Sequence, residues 1–171
     1  MNNKFILNNI FRFVILFVLQ VFLFNQLPFG RIYIMIYPLA VLLLPVFTNR
    51  SIVLLSAFTL GIMIDLFSDG GGLHTVSILL IAYLRSYVLD TFQPKSGWDK
   101  LDVPTLNKQG ITWYFYYTLI LFSIHHLCFF YLEAFGFTNF FHTLFKTILS
   151  LFASLFIVWL ISLFFMRNTK E

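Results

Sequence analysis

The chain has 171 residues, 60% of them hydrophobic and only 11% charged, with a formal net charge of +4. A soluble domain is about one-quarter charged, so this composition excludes an ordinary water-soluble fold and suits a single transmembrane domain over 1–171. The basic residues sit in short segments between apolar runs and never form a dense basic run, which excludes a nucleic-acid surface and fits membrane loops.

A membrane span takes about 20 apolar residues. The sequence predicts an all-α, polytopic protein with six transmembrane helices near 9–25, 32–48, 51–67, 73–91, 111–132 and 143–166. The first follows Lys4 and includes Arg12, and no small-x-small cleavage motif comes after it. It therefore reads as a retained span, not a signal peptide. On this helix Asn9, Arg12 and Gln20 share an arc of about 80°. That polar stripe predicts packing against protein, either another helix of this chain or a second subunit. The second span carries Pro38 and Pro45, which kink a helix or end it early. The connection at 48–51 is short enough to make the second and third helices antiparallel neighbours.

The third and fourth spans flank the most informative stretch, Gly61-Ile62-Met63-Ile64-Asp65-Leu66-Phe67-Ser68-Asp69-Gly70-Gly71-Gly72-Leu73-His74. An intramembrane carboxylate is expensive and needs a reason. Asp65 has two: it reaches the outer headgroups, or with Asp69 it organises the turn by accepting hydrogen bonds from backbone N–H groups. Gly70, Gly71 and Gly72 allow positive φ and close backbone approach, which makes the turn a candidate lipid or partner contact. Arg85 falls about 18 Å along the fourth helix. It is either an interfacial anchor or part of a buried polar site or partner contact, and the axial separation excludes an ion pair with Asp65.

The connection at 93–110 is the one long loop, built around Trp98. After it, Trp113, Tyr114, Tyr116 and Tyr117 are placed in an interfacial aromatic belt. His125 and His126 project about 100° apart, so they are expected to hydrogen-bond between helices, not to share a metal. Cys128 reads as a small packing residue. Six spans put both termini on one face with Lys4, Arg12, Arg50, Lys95, Lys100, Lys108, Arg167 and Lys170, against Arg31 and Lys146 on the other. Eight against two predicts cytoplasmic termini. No GxSxG, Walker A, metal-ligand or Ser/His/Asp pattern occurs, so no enzyme and no cofactor is expected.

Gly61-x-x-x-Asp65, the turn ending Gly72-Leu73 and the helix carrying Ala82-Tyr83-Leu84 resemble the MreD family of rod shape-determining membrane proteins, across the whole chain and most closely its Bacteroidetes versions. The resemblance implies a bundle like the S-components of vitamin transporters, in a bacterial cytoplasmic (inner) membrane. It implies a non-enzymatic scaffold of the elongation machinery for lateral peptidoglycan synthesis and cell shape. The implied partners are an MreC-like bitopic protein and, directly or indirectly, an MreB-like filament, a SEDS glycosyltransferase, a penicillin-binding transpeptidase and membrane lipid. Gly61, Asp65, Gly72 and Tyr83 match motif positions, and the family assigns no catalytic residues. The alternatives are an S-component-like small-molecule binder and a lipid-precursor carrier. The first is disfavoured because no two alanines lie four apart in this chain.

Overall fold

The computed structural model describes residues 3–27, 30, 32–95, 97–99, 102–135 and 139–167. Among the described residues the secondary structure is entirely helical: α1 Asn3–Phe22, α2 Pro38–Leu42, α3 Arg50–Ser68, α4 Leu73–Thr91, α5 Leu106–Gln109, α6 Ile111–Glu133 and α7 Phe140–Arg167, with a 3₁₀ turn at Phe24–Gln26. Among the described residues five stretches are long and apolar enough to cross a membrane: Leu7–Gln26, Arg50–Ser68, Leu73–Thr91, Ile111–Glu133 and Phe140–Phe164. The outward side chains are large and apolar, among them Phe11, Leu66, Phe152 and Phe164. Such a surface suits hydrocarbon as solvent far better than water.

The helices alternate in direction. One end of the bundle holds the finish of α3 and α6 and the start of α4 and α7. The C-terminal end of α1 lies at this end too, because Phe17 and Phe22 pack on Phe67 with ring centroids 5.7 and 6.5 Å apart. Asn25 Nδ2 also donates to Ser68 Oγ at 2.7 Å. The opposite end carries the 93–110 loop, whose Trp98 meets Trp113 edge-on at 5.6 Å, and Trp113 stacks on Tyr117 at 4.8 Å.

The second expected helix, 32–48, needs correction. Only Pro38–Leu42 is helical, and residues 32–36 before it have no regular secondary structure. The local sequence accounts for this. In Ile32-Tyr33-Ile34-Met35-Ile36-Tyr37 every residue but Met35 is β-branched or aromatic, types with lowered helix propensity. Pro38 is at the first helical position, where its missing N–H is not needed. Pro45 prevents the helix from continuing. Tyr33 packs on Phe130 at 5.8 Å, near the finish of α6, whereas Val46 N donates to Asp102 O at 2.9 Å in the opposite-end loop. The broken segment therefore threads the bundle from end to end. Ile36, Tyr37, Val41 and Leu42 are completely buried along it.

α3 and α4 form the tightest pair, and Gly61 sets their spacing. A Cβ built on Gly61 would lie 2.5 Å from Thr75 Cα and 3.0 Å from Ile78 Cγ2. Asn49 starts α3 by accepting from Ser51 N at 2.9 Å. α3 ends at Asp69 in the left-handed conformation (φ 50°), and the Asp69 and Gly70 N–H groups return to Asp65 O.

Candidate functional site

A buried non-helical segment leaves backbone groups that water cannot reach, so protein must bind them. Side chains from α1, α4, α6 and α7 converge on 33–45 for this purpose. Gln20 serves both senses at once: its Nε2 donates to Ile34 O at 2.9 Å, and its Oε1 accepts from Ile36 N at 2.7 Å and Tyr37 N at 3.4 Å. Ser150 Oγ and Ser154 Oγ accept from Tyr33 N and Met35 N at 3.0 and 2.9 Å. Arg12 Nη1 donates to Leu43 O at 3.1 Å, and Tyr117 Oη donates to Leu42 O at 2.9 Å. Arg85 is 3% exposed, and its Nε and Nη2 donate to Leu42 O, Leu44 O and Pro45 O.

Two of the sequence candidates thereby acquire a role within the chain. The stripe on α1 packs on this chain's own broken segment, and Gln20 at 1% exposure has no surface to offer a second subunit. Arg85, for which anchoring and a buried site were both open, is buried. The belt expectation also needs correction. Tyr114 and Tyr117 are core residues, with Tyr114 Oη bonded to Ser162 Oγ at 2.7 Å, while Tyr116 remains exposed.

At the centre, Tyr37 Oη lies 2.9 Å from His74 Nδ1 and 2.6 Å from His125 Nε2. A phenol has one proton, so it donates to one ring and accepts from the other. His125 Nδ1 is buried without a partner. An orphaned acceptor there is less costly than an orphaned donor, which assigns the His125 proton to Nε2 and directs the Tyr37 O–H to His74. His126 Nδ1 faces Phe122 O at 2.8 Å and must donate, leaving Nε2 to accept from Ser154 Oγ at 3.0 Å. The histidines are thus hydrogen-bonded between elements. Among the described residues no group of three or more His, Cys, Asp or Glu side chains is disposed to hold a metal ion.

The glycine turn is built around Asp65. Leu73 opens α4 after Gly72 (φ 93°), which has no side chain with which to cap it. Asp65 does so from the neighbouring helix. Its Oδ1 accepts from His74 N at 3.1 Å, and its Oδ2 from Thr75 N at 2.9 Å and Thr75 Oγ1 at 2.5 Å. These are the second and third helical donors that an N-cap side chain normally satisfies, and the carboxylate also faces the positive end of the helix dipole. Of the two readings of Asp65, the geometry gives backbone capping. Asp69 and Gly71 are exposed in the turn. A Cβ on Gly70 would collide with the Asp65 carboxylate and the His74 ring.

Tyr83 is on the outer face of α4, half-exposed. Arg50 sits over its ring at 4.3 Å and over Tyr87 at 5.4 Å. Beside them, at the 93–110 end, lies a cavity of about 180 Å³ whose lining includes Thr48, Arg50, Arg85, Ser86, Asp90 and Trp98.

Comparisons with protein-family models, with curated proteins and with solved structures return no match. The sequence reading missed Tyr37, Ser150 and Ser154. Its signal was present on α7, where Thr143, Thr147, Ser150 and Ser154 follow a 4-3-4 spacing, one buried polar stripe on an otherwise apolar helix.

Proposed function

We propose that this chain is a non-enzymatic membrane scaffold of the MreD type. It holds an MreC-like bitopic partner and so positions lateral peptidoglycan synthesis. Two supports are independent of one another. The first is the motif pattern at Gly61, Asp65, Gly72 and Tyr83. The second, which carries the reading, is where the polar side chains go. Arg12, Gln20, Asp65, Arg85 and Tyr117 are spent on holding the chain's own backbone, and the resulting rigid body presents an apolar perimeter to lipid and other helices. An apolar perimeter lets other transmembrane helices pack against it through van der Waals contact.

In this reading the broken segment 32–48 is a sixth crossing beside the five long helices, and both termini are cytoplasmic. The support is the contact of Tyr33 with Phe130 at one end and of Val46 with Asp102 at the other, together with the lysine and arginine bias. The partner-contact candidates that remain accessible are Asp69, Gly71 and Tyr83, so these replace Arg12 and Gln20 as the proposed contact positions.

The test is a crosslinked pull-down of the tagged chain from its native membrane, read by mass spectrometry. A single-span coiled-coil protein recovered with peptidoglycan synthases is the expected result. Recovery of ATPase subunits with a coupling membrane protein would overturn the scaffold in favour of transport.

A further inference from the structure

The cavity at the 93–110 end is separate from the glycine turn and shares Arg85 with the backbone clamp. Its lining mixes apolar residues such as Val46, Phe47 and Leu89 with a group of polar ones. Arg50 and Arg85 are the cations of the lining, Thr48 and Ser86 the hydroxyls, Gln93 the amide and Asp90 the acidic member. Arg85 reaches the backbone carbonyls through Nε and Nη2, so those bonds do not employ Nη1. Trp98 contributes a second and independent sign: its indole N–H is buried and has no hydrogen-bond partner. A buried donor left unpaired is costly and calls for an acceptor. The donors of two arginines, two hydroxyls and an indole N–H outnumber the acceptor side chains Asp90 and Gln93, which suits a phosphate group with its several acceptor oxygens.

Position narrows the source. Arg50 opens α3, and Arg85 lies about 9 Å from the last residue of α4. Arg50, Tyr83 and Tyr87 meet on the outer face beside the cavity. In a bilayer this level is the headgroup region, where arginine and tyrosine anchors belong. We propose that this cavity is a phosphate-binding site, occupied by a phospholipid headgroup of the leaflet that the 93–110 loop faces. Arg50, Arg85 and the Trp98 N–H receive the phosphate oxygens, and Asp90 limits the anionic charge the site accepts. The inference uses the membrane-spanning reading but not the scaffold reading, so the two fail separately.

The experiment is native mass spectrometry of the purified full-length chain in neutral detergent, with phosphatidylglycerol or phosphate-free diacylglycerol added. Retention of phosphatidylglycerol over diacylglycerol is expected. Arg50→Gln should weaken it about tenfold and Trp98→Phe about fivefold, the loss of a charged and a neutral hydrogen bond respectively. Arg50 is exposed and does not hold the broken segment, so thermal unfolding of Arg50→Gln should match the wild type. Asp90→Asn should strengthen retention, an opposite sign that misfolding would not produce. Added inorganic phosphate distinguishes the sources. If it competes, the site recognises the free ion as well as the headgroup; if it does not, the site is specific for lipid. Equal retention of diacylglycerol, or retention unchanged in all three variants, overturns the proposal.

Discussion

Gln20→Met gives the sharpest test of the broken segment. Methionine is close to glutamine in shape, and burying it creates no large cavity. By hydropathy alone the change should favour a membrane protein, because it removes an amide from the bilayer. The structure reverses the sign. Gln20 accepts from Ile36 N and donates to Ile34 O, with a longer bond from Tyr37 N. Methionine leaves the first two backbone groups buried and unpaired. At about 1–3 kcal/mol each, the loss is roughly 2–6 kcal/mol. Polar contacts within membranes often measure near 0.6 kcal/mol, because an unfolded helix finds other partners. Here the unpaired groups are backbone in a non-helical segment, so the loss should exceed that figure clearly. The assay is reversible unfolding of the purified chain in mixed detergent micelles, followed by fluorescence of Trp98, Trp113 and Trp159. Stability within about 0.5 kcal/mol of wild type would refute the clamp, since that is the scatter of an ordinary surface substitution.

Four further outcomes follow from the geometry. Asp65→Ala should destabilise by about 0.5–2 kcal/mol through loss of the cap on α4, with Asp65→Asn near the lower figure; equal stability of the two would argue against the dipole contribution. Gly61→Ala gains up to about 1 kcal/mol in helix propensity. It forces a Cβ to 2.5 Å from Thr75 Cα, so unfolding should show net destabilisation of about 1–3 kcal/mol; a more stable variant would contradict the close approach. Tyr37→Phe removes the hydroxyl between two buried rings and should lower stability by about 2 kcal/mol, measured in the same unfolding assay. In a Cys128→Ser background, an impermeant maleimide should label Phe135→Cys on intact spheroplasts and Lys95→Cys only after lysis. The opposite pattern would invert the proposed orientation.

The five long helices were legible because each is a continuous apolar run bounded by turn residues, a signal carried by local composition. Their expected limits, such as 73–91 for α4, fall close to the observed Leu73–Thr91. Asp65 and its glycines were equally visible, as a charge and three flexible residues where neither is cheap. The sequence also held the reason that 32–48 departs from a helix, in the isoleucines and tyrosines before Pro38, but an apolar run of that length looks the same whether it is helical or irregular. What composition could not supply was the pairing. Asp65 caps a helix whose first residues lie nine and ten positions away, and Gln20 bonds a backbone fourteen to seventeen positions on. Ser150 and Ser154 serve donors more than a hundred positions distant. Hydropathy reports how costly a polar group is in a bilayer. Which partner offsets that cost depends on which elements lie side by side, and only the tertiary structure decides that.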